Sequence, residues 1–474
     1  MPGTINYVGE FSLEILDLVV ASQEKPINLK GTTFQGLVLY EDIYEPIITG
    51  SLLVSDSIAL NSYGPITGQE ELMLRLKTPT VNNPEKRIDF VDQPLIITKV
   101  SNRQEISRNV EGYILEFTTR TIMKDRRTKV QKSLEGTYSD IVKELLTLSG
   151  ANHRNNYIEP SDGIKKIVAP NDNPFNIILM IKKKAISRDS KSPTYLFFEN
   201  LRGFHFRTLD SLYAQKSVHK LEPKQAGKLM DKGQHLITEE LETILDHRLS
   251  TKSSILEMTD NGTFGSNLVV WNMFDKSYTK TQYNMLESQE DENNINHYQD
   301  GDIGDYSMYS ETVDKDGVGL SELPAKSMLT STSTRPDGAD ATFLTDNGTF
   351  NISTTDETQI TQRRTSQMNR IGKGLDIEMH IYGNTLISVG DIVTCNIPTN
   401  ITVEKKATEK IDKFYSGAFL VTHIRHDFSP GKKMKHEMQL KLTKDSIKEK
   451  INVKETTYPD TKMQCETHEE FYDW

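Results

Sequence analysis

Cysteine is scarce in this chain. Its 474 residues include only Cys395 and Cys465, and no Cys-x-x-Cys pair occurs. A disulfide framework is therefore not expected, which fits assembly in a reducing cytoplasm. Cys465 and His468 form a single Cys-x-x-His pair, but a zinc site needs a second pair, which the sequence lacks. Cys395 lies in a predicted strand, where a thiol serves as a small buried hydrophobic residue.

Long apolar segments are also missing. Residues 1–6 hold no basic stretch followed by an apolar one, so no signal peptide is predicted. The apolar run at residues 15–21 is interrupted by Asp17 and falls far short of the roughly 18 residues of a transmembrane helix. The net charge of −11 argues against binding to nucleic-acid backbones, which needs surplus Lys and Arg. We expect neither membrane insertion nor specific nucleic-acid binding.

Motifs of catalysis are absent as well. The sequence contains no GxGxxG, P-loop, GxSxG or HExxH motif. The acidic, Gly-rich stretch at residues 300–305 lacks the spacing and terminal Glu of an EF-hand loop. A glycosidase needs two carboxylates across a cleft, and nothing among the 67 acidic residues points to such a pair. We therefore predict no catalytic residue, no cofactor, no metal site and no enzymatic activity.

Three histidines and one basic stretch are the remaining candidates for a site. His423 and His426 are three residues apart in a predicted strand, so they point to opposite faces and cannot share a ligand. His436 could oppose one of them across a hairpin and form a metal pair, but exposed strand histidines are the favoured interpretation. The basic stretch at residues 124–129 is interpreted as a solvated linker at a domain boundary.

What the chain does contain is one three-strand β-pattern in two copies. The first copy comprises a glycine at position 68 and strands at residues 72–76, 97–100 and 115–118; the second comprises a glycine at 390 and strands at 392–397, 421–424 and 440–443. Gly68 and Thr98 are 30 residues apart, and Gly390 and Thr422 are 32 apart. This spacing predicts one β-module used twice, the alternative being a chance similarity of β-patterns. An assembly of n chains would then present 2n modules.

The length suffices for about three domains of roughly 150 residues. The predicted fold is mainly β with an α+β insertion: two similar tube-like β-barrel or sandwich domains plus inserted domains. Alternation of apolar and polar residues, as in Leu72, Leu74 and Leu76, supports half-buried strands. The predicted units are residues 1–124 (first tube-like β-domain), 125–234 (α+β domain), 235–370 (β-rich insertion that could add strands to the second tube domain), 371–448 (second tube-like β-domain) and 449–474 (C-terminal tail).

Local signals define the elements of the α+β domain. Thr137-Tyr-Ser-Asp140 has the form of a capping box, which predicts a helix ending at Gly150. A second helix is predicted from Asn173-Pro174 towards the lysines at 182–184, where cations suit the helix dipole. The apolar stretches at 195–199 and 204–207 predict a β-hairpin.

The region between the two copies also contains one hexapeptide twice, either as a local repeat or as convergent turn chemistry. The hexapeptide Thr-Asp-Asn-Gly-Thr-Phe occurs at 259–264 and at 345–350. Since Asn-Gly favours tight turns, we predict hairpin turns at both places. Residues 281–320 are acidic, which indicates a solvated loop or a partner-facing arm. Residues 325–370 are rich in Ser and Thr, which indicates extended loops or an insertion. Three aromatic residues among the four at 471–474 suggest docking of the tail to a partner, the alternatives being local packing and simple disorder.

Several stretches, in their order and spacing, resemble the baseplate hub protein of contractile-tailed bacteriophages. In the C-terminal part these are residues 389–394, 396–398, 416–421, 423–426 and 444–446. In the rest of the chain they are 41–43, 50–52, 66–68, 195–200, 203–207 and 262–278. The resemblance touches most of the chain and departs at residues 281–370, which have no counterpart in it.

The resemblance implies a homotrimer with two tube-like domains per chain, hence a pseudo-hexameric ring. Such a ring joins the hexameric tail tube, or its initiator proteins, to a trimeric central spike that bears an OB-fold. Baseplate wedge proteins are further candidate partners. The expected location is the tail baseplate of a virion, assembled in the host cytoplasm and acting in genome ejection.

Two other interpretations remain open at this stage. One is a tail-associated cell-wall hydrolase. The other is the hub-like part of a bacterial injection machine, for which a fused OB-fold and a β-helical needle would be expected after the second β-module. Only 26 residues follow residue 448, so we expect the baseplate hub.

Overall fold

A computed structural model covers the chain. It describes residues 7–20, 23–31, 33–57, 59–60, 66–79, 87–151, 155–223, 240–251, 254–273, 276–289, 292–296, 306–309, 319–332, 341–345, 348–352, 359–398, 411–431 and 433–448. The predictions for the stretch at 300–305, for Cys465 and His468 and for the tail at 449–474 lie outside these residues.

Strands dominate the described chain. They are β1 Ser12–Val19, β2 Ile27–Asn28, β3 Phe34–Asp42, β4 Thr49–Asp56, β5 Glu71–Lys77, β6 Ile88–Ser107, β7 Val110–Thr119, β8 Ser133–Thr137, β9 Asn155–Ile158, β10 Ile164–Val168, β11 Tyr195–Asn200, β12 Gly203–Thr208, β13 His219–Pro223, β14 Thr243–Thr251, β15 Gly265–Asn272, β16 Tyr278–Asn284, β17 Tyr306–Ser307, β18 Lys326–Thr332, β19 Ala341–Thr345, β20 Gly348–Ile352, β21 Leu375–Tyr382, β22 Ile392–Cys395, β23 Gly417–Ser429, β24 Lys435–Lys444 and β25 Ser446–Ile447.

The helices are short. They are α1 Thr121–Arg127, α2 Tyr138–Ser149, α3 Pro174–Ile181, α4 Leu209–Tyr213, α5 Ile255–Asp260, α6 Met285–Gln289 and α7 Arg364–Lys373, and a π-helical turn at Gln359–Arg363 precedes the last. Among the described residues, no helix has both the length and the apolar character needed to cross a bilayer.

Two sets of six strands have the same order in the sheet and along the chain, although β1 lies antiparallel to β5 whereas its counterpart β13 lies parallel to β22. Module 1 is the set with the spatial order β1-β5-β6-β7-β4-β3, and module 2 is the set with the order β13-β22-β23-β24-β21-β14. Reading the strands of each module along the chain gives the same path through the sheet. In module 2, β13 also pairs in parallel with β14, which closes a six-stranded barrel. The predicted mainly β fold is confirmed.

Alternating sequence patterns explain the module cores. In β5, Leu72, Leu74 and Leu76 are fully buried while the residues between them are half-buried. Successive side chains of a strand point to opposite faces, so one face of β5 supplies the core. Burying each leucine contributes about 2 kcal/mol. The core of module 2 forms in the same way, and Cys395 is buried within it as predicted.

An α+β unit of residues 121–213, here called the central unit, lies between the modules in the chain. Helix α2 has Thr137 as its N-cap, with the threonine hydroxyl accepting from the Asp140 backbone N–H at 3.2 Å, and Gly150 ends the helix in the left-handed conformation. Pro174 is the first residue of α3. Both predicted helices and the hairpin β11–β12 are therefore confirmed.

The basic stretch at 124–129 is not a solvated linker. Most of it belongs to helix α1, and Asp125 within it is buried. The Asp125 carboxylate accepts a hydrogen bond from the backbone N–H of Phe175 at 2.8 Å. That N–H is one of the free donors at the start of α3, so Asp125 caps that helix.

Residues 252–374, here called the inserted unit, connect β14 to β21. Its first hexapeptide copy does not form the predicted hairpin. Instead Asn261 is the C-cap of α5 and Gly262 follows it with a φ of +74°. The second copy spans the end of β19 and the start of β20, which pair as an antiparallel hairpin.

Candidate assembly interface

The two modules are joined edge to edge within the chain. The second half of β23 pairs antiparallel with β3, from His423 opposite Asp42 to Phe428 opposite Leu37. Phe428 leaves its own module and is buried in the core of module 1, where its ring meets Phe11 edge-on at 5.1 Å. One continuous sheet thus runs through both modules. We call this contact the in-chain joint.

A buried polar chain crosses the in-chain joint. The Glu41 Oε1 atom lies 2.9 Å from His426 Nε2, and His426 Nδ1 lies 3.1 Å from His436 Nε2. All three side chains are almost wholly buried. The two hydrogen bonds join the Glu41 carboxylate and both imidazoles into one chain across the joint. Burial, together with His426, holds the pKa of His436 well below its ordinary value, so His436 is neutral.

The prediction of exposed strand histidines is therefore wrong for His426 and His436. His423 does lie on the opposite face, half exposed, with its Nε2 atom 3.2 Å from an oxygen of Asp42. Within the described part of the chain, no group of three or more His, Cys, Asp or Glu side chains is arranged to hold a metal ion.

The turn of hairpin β11–β12 attaches the central unit to module 1. The Glu199 carboxylate accepts from the backbone N–H of Ile48 at 3.2 Å and from the Thr119 hydroxyl at 2.8 Å. The backbone N–H of Leu201 donates to Glu41 at 3.1 Å. Glu41 therefore contacts module 1, module 2 and the central unit at once.

The same turn attaches the central unit to module 2. Arg202 forms a two-pronged ion pair with Asp391, at 2.8 and 2.6 Å. The side chain of Asn200 donates to the carbonyl oxygen of Val389 at 3.0 Å. Asp391 is 3% exposed, so its charge depends on Arg202 for compensation. The turn thus fixes both modules to one rigid element.

Equivalent backbone features mark the two modules as copies. In β6 and in β23 the strand register shifts at one threonine, Thr98 and Thr422. Each threonine hydroxyl donates to a carbonyl oxygen on the neighbouring strand, Glu116 at 3.2 Å and Lys441 at 3.0 Å. Thr98 and Thr422 are also the two threonines that the similar spacing of the two sequence patterns predicts to be equivalent. A bulge inserts one residue and bends the strand, so its recurrence at one position reflects a shared design.

The modules differ in how their edges are used. Beyond its bulge, β23 pairs with β3. The same part of β6, residues 100–107, pairs with β7 on one side, and no described strand covers the other side. Strand β14, the counterpart of β3, pairs with β21 along its length but with β13 only at Thr243 and Ile244. Among the described strands, one hairpin edge in β6 and one acceptor edge in β14 thus have no strand beside them.

A second buried polar cluster holds the inserted unit. Arg363 lies 3.2 Å from Asp210 and 3.2 Å from Glu292, and Arg370 also pairs with Glu292. Burial raises the pKa of Asp210 to about 6, although Arg363 opposes the shift. Both carboxylates are almost wholly excluded from solvent, whereas the carboxylates of a glycosidase line an open cleft. The cluster links α4 of the central unit to α7 of the inserted unit.

Comparison with solved structures agrees with this architecture. The fold is similar to that of a tail protein from Neisseria meningitidis MC58, with a TM-score of 0.51 and 11% identity over 93% of this chain and 98% of that one. The chain has the fold of a tail protein. The 43 kDa tail protein of prophage MuSo2 from Shewanella oneidensis aligns with a TM-score of 0.48 and 9% identity over 92% of this chain and all of that one. No protein-family model and no curated protein matches the sequence.

Proposed function

We propose that this tail-fold protein is the structural baseplate hub of a contractile phage tail. The observation that carries the proposal is the duplicated module with one joint formed inside the chain. If the same joint forms between chains, the uncovered hairpin of β6 and β7 meets the uncovered edge of β14 in the next chain. Strand addition of this kind supplies backbone hydrogen bonds without special chemistry.

Repeating the joint around an axis closes a ring. Three chains supply six modules, and the joints alternate between in-chain and inter-chain. Such a ring presents six similar modules to a hexameric tail tube and three identical chains to a trimeric spike, because interfaces follow the symmetry of the assembly. We propose the tail tube or its initiator proteins, the central spike and baseplate wedge proteins as partners. The virion baseplate is the proposed location, with assembly in the host cytoplasm.

Each part of the chain has its own proposed role in the hub. Residues 1–124 and 371–448 are proposed to form the tube-like domains, with β13 and β14 completing the second. The α+β domain, residues 125–234, sets the angle between them through the turn at Glu199–Arg202. The insertion at 235–370 and the tail at 449–474 are proposed to meet partners. No catalytic role is assigned to the protein.

Light scattering on the purified protein, alone and with its central spike, tests the proposal. A trimer, formed alone or on addition of the spike, is the expected result, and negative-stain images should show a ring with six lobes. A protein that stays monomeric with the spike would contradict the hub. Hydrolysis of purified peptidoglycan by that monomer, abolished by one carboxylate substitution, would identify a tail-associated cell-wall hydrolase instead.

A further inference from the structure

The equivalence of the modules fixes which residues would face each other between chains. Lys441 of β24 and Glu116 of β7 are counterparts, because their carbonyl oxygens accept from the two bulge threonines. Five residues back along each strand, His436 and Glu111 are therefore counterparts as well. Phe428 lies opposite His436, and Glu105 lies opposite Glu111. Glu105 is therefore the counterpart of Phe428. By the same count, Gln104 is the counterpart of Asp427.

The acceptor strands can be matched in the same way. Leu37 of β3 lies opposite Leu52, and His247 of β14 lies opposite Met379. Both β3 and β14 shift register just before this pair, so Leu37 and His247 are counterparts. Arg248 is then the counterpart of Val38.

We propose that β6 of one chain pairs antiparallel with β14 of the next, with Glu105 opposite His247 and Gln104 opposite Arg248. This inference rests on the proposed hub function and specifies its inter-chain joint. It is the register of the in-chain joint, in which Phe428 lies opposite Leu37 and Asp427 opposite Val38, carried over to the uncovered edges.

The chemistry of the two joints differs sharply. The in-chain joint places Phe428 and Leu37 in a core, both about 1% exposed. The inter-chain joint would place a carboxylate of β6 against an imidazole and a guanidinium of β14. Glu105 and Arg248 are exposed in the single chain and His247 is half-buried. Opposite charges across strands stabilise a pair, whereas like charges destabilise it.

Uncovered apolar side chains on the same two edges support contact with a second copy. Ile106 at the end of β6 is 67% exposed, and Leu249 of β14 is 38% exposed. Exposed edge strands are normally covered or blunted in soluble proteins. An inter-chain joint would cover both strands in one step. Because its charged pairs lie at a partly solvated rim, salt should weaken this joint much more than the in-chain joint.

Disulfide trapping tests the register. The variant carries Gln104→Cys and Arg248→Cys, with Cys465→Ser to remove a reactive background thiol. Directly opposed residues in paired strands lie close enough for a disulfide, with Cβ atoms about 5 Å apart. Oxidation should yield covalent dimers and trimers in denaturing gels. An equal mixture of the two single-cysteine proteins should yield a covalent dimer only.

The matched control traps the in-chain joint at the counterpart positions. Val38→Cys with Asp427→Cys should form an intramolecular disulfide that shifts gel mobility without any dimer, because these residues face each other in one chain. If this control cross-links and the trimeric Gln104 and Arg248 variant does not, the proposed register is wrong while the hub function stands. If the wild type is a monomer even with the spike, both fail.

Charge reversal tests the chemistry of the joint. Glu105→Lys places like charges beside Arg248, and the loss repeats at three joints, so we expect trimer formation to weaken ~100-fold. Glu105→Lys with His247→Glu should recover most of the association. Glu144→Lys, on the exposed face of α2, is the control and should leave the trimer unchanged. Equal effects of Glu105→Lys and Glu144→Lys would overturn the ionic joint.

Discussion

Module 1 and module 2 hold the same glycine turn in different ways. In module 1, the Glu70 carboxylate accepts from the backbone N–H groups of Thr67 and Gly68, both at 2.8 Å. In module 2, Asp391 accepts from the backbone of Ser388 and also pairs with Arg202 of the central unit. The buried carboxylate of module 1, Glu70, therefore bonds to its own turn. The buried carboxylate of module 2, Asp391, also binds the central unit.

The same contrast appears at the hairpins. The hairpin of module 2 ends in Phe428, His426 and His436, which are buried in the in-chain joint. The hairpin of module 1 carries an exposed ion pair at 2.7 Å between Arg103 and Glu111. Exposed ion pairs contribute little to stability. Two modules with the same strand order can thus differ in use, one forming a permanent contact and the other keeping a polar edge for a partner.

The largest expected effect comes from adding one methyl group to module 2. A Cβ atom at Gly383 would lie 2.0 Å from the His436 ring, and that ring is stacked on Phe428 at 4.0 Å, so it cannot shift. We expect Gly383→Ala to lower the free energy of unfolding by about 3 kcal/mol, measured by chemical denaturation. The counterpart in module 1 is Asp56, which shows that the backbone itself accepts a side chain at this position.

The control for this prediction is a glycine without near neighbours. No atom lies within 4 Å of a Cβ built at Gly372 in helix α7. Gly372→Ala should therefore be neutral or stabilising by up to about 1 kcal/mol, because alanine favours helices. A loss of stability in Gly372→Ala as large as in Gly383→Ala would mean that packing on His436 is not what module 2 depends on.

The next effect concerns Asp391, which differs from Glu70 in that it pairs with an arginine of the central unit. Arg202→Ala should cost about 3 kcal/mol of unfolding free energy, because it leaves Asp391 buried without a counter-charge. Adding Asp391→Asn should recover much of the loss, since the amide is neutral. The measurement is a double-mutant cycle by thermal and chemical denaturation. Additive losses in the double variant would show that the pair contributes nothing, and module 2 would then resemble module 1.

These contrasts also show what local sequence can reveal. The capping box at Thr137 and the start of α3 at Pro174 are predicted correctly, because a few neighbouring residues decide them. The contact between Glu41 and His426 is missed, because it joins strands 385 residues apart and depends on their register. An acid near the end of a strand gives no local sign of its burial.

The repeated hexapeptide shows that one local sequence can occur in two different elements. Its first copy ends helix α5, and its second lies in the hairpin β19–β20. Asn-Gly permits a positive φ in either setting, as Gly262 shows at +74°. The preceding residues decide which element is ended: Ser254 caps a helix before the first copy, and β19 precedes the second.

A further effect depends on pH. Burial, together with Lys448, lowers the pKa of Lys444 in module 2 to about 7. The unfolded chain keeps an ordinary lysine, so between pH 7 and about 10.5 it binds more protons than the folded chain. Stability should therefore rise with pH in this window, by up to about 1.4 kcal/mol per unit. Lys444→Met should remove this slope, and an unchanged slope would contradict the assignment.

The smallest effect compares the two bulges directly. Thr98→Val and Thr422→Val each remove one hydroxyl that donates to a carbonyl oxygen. Thr98 is exposed, so water can replace the lost bond, whereas Thr422 is 2% exposed. We expect losses of about 0.3 kcal/mol for Thr98→Val and about 1 kcal/mol for Thr422→Val, measured by chemical denaturation. Equal losses would mean that both bulges depend on the hydroxyl alone, and that burial in the in-chain joint adds nothing to the second.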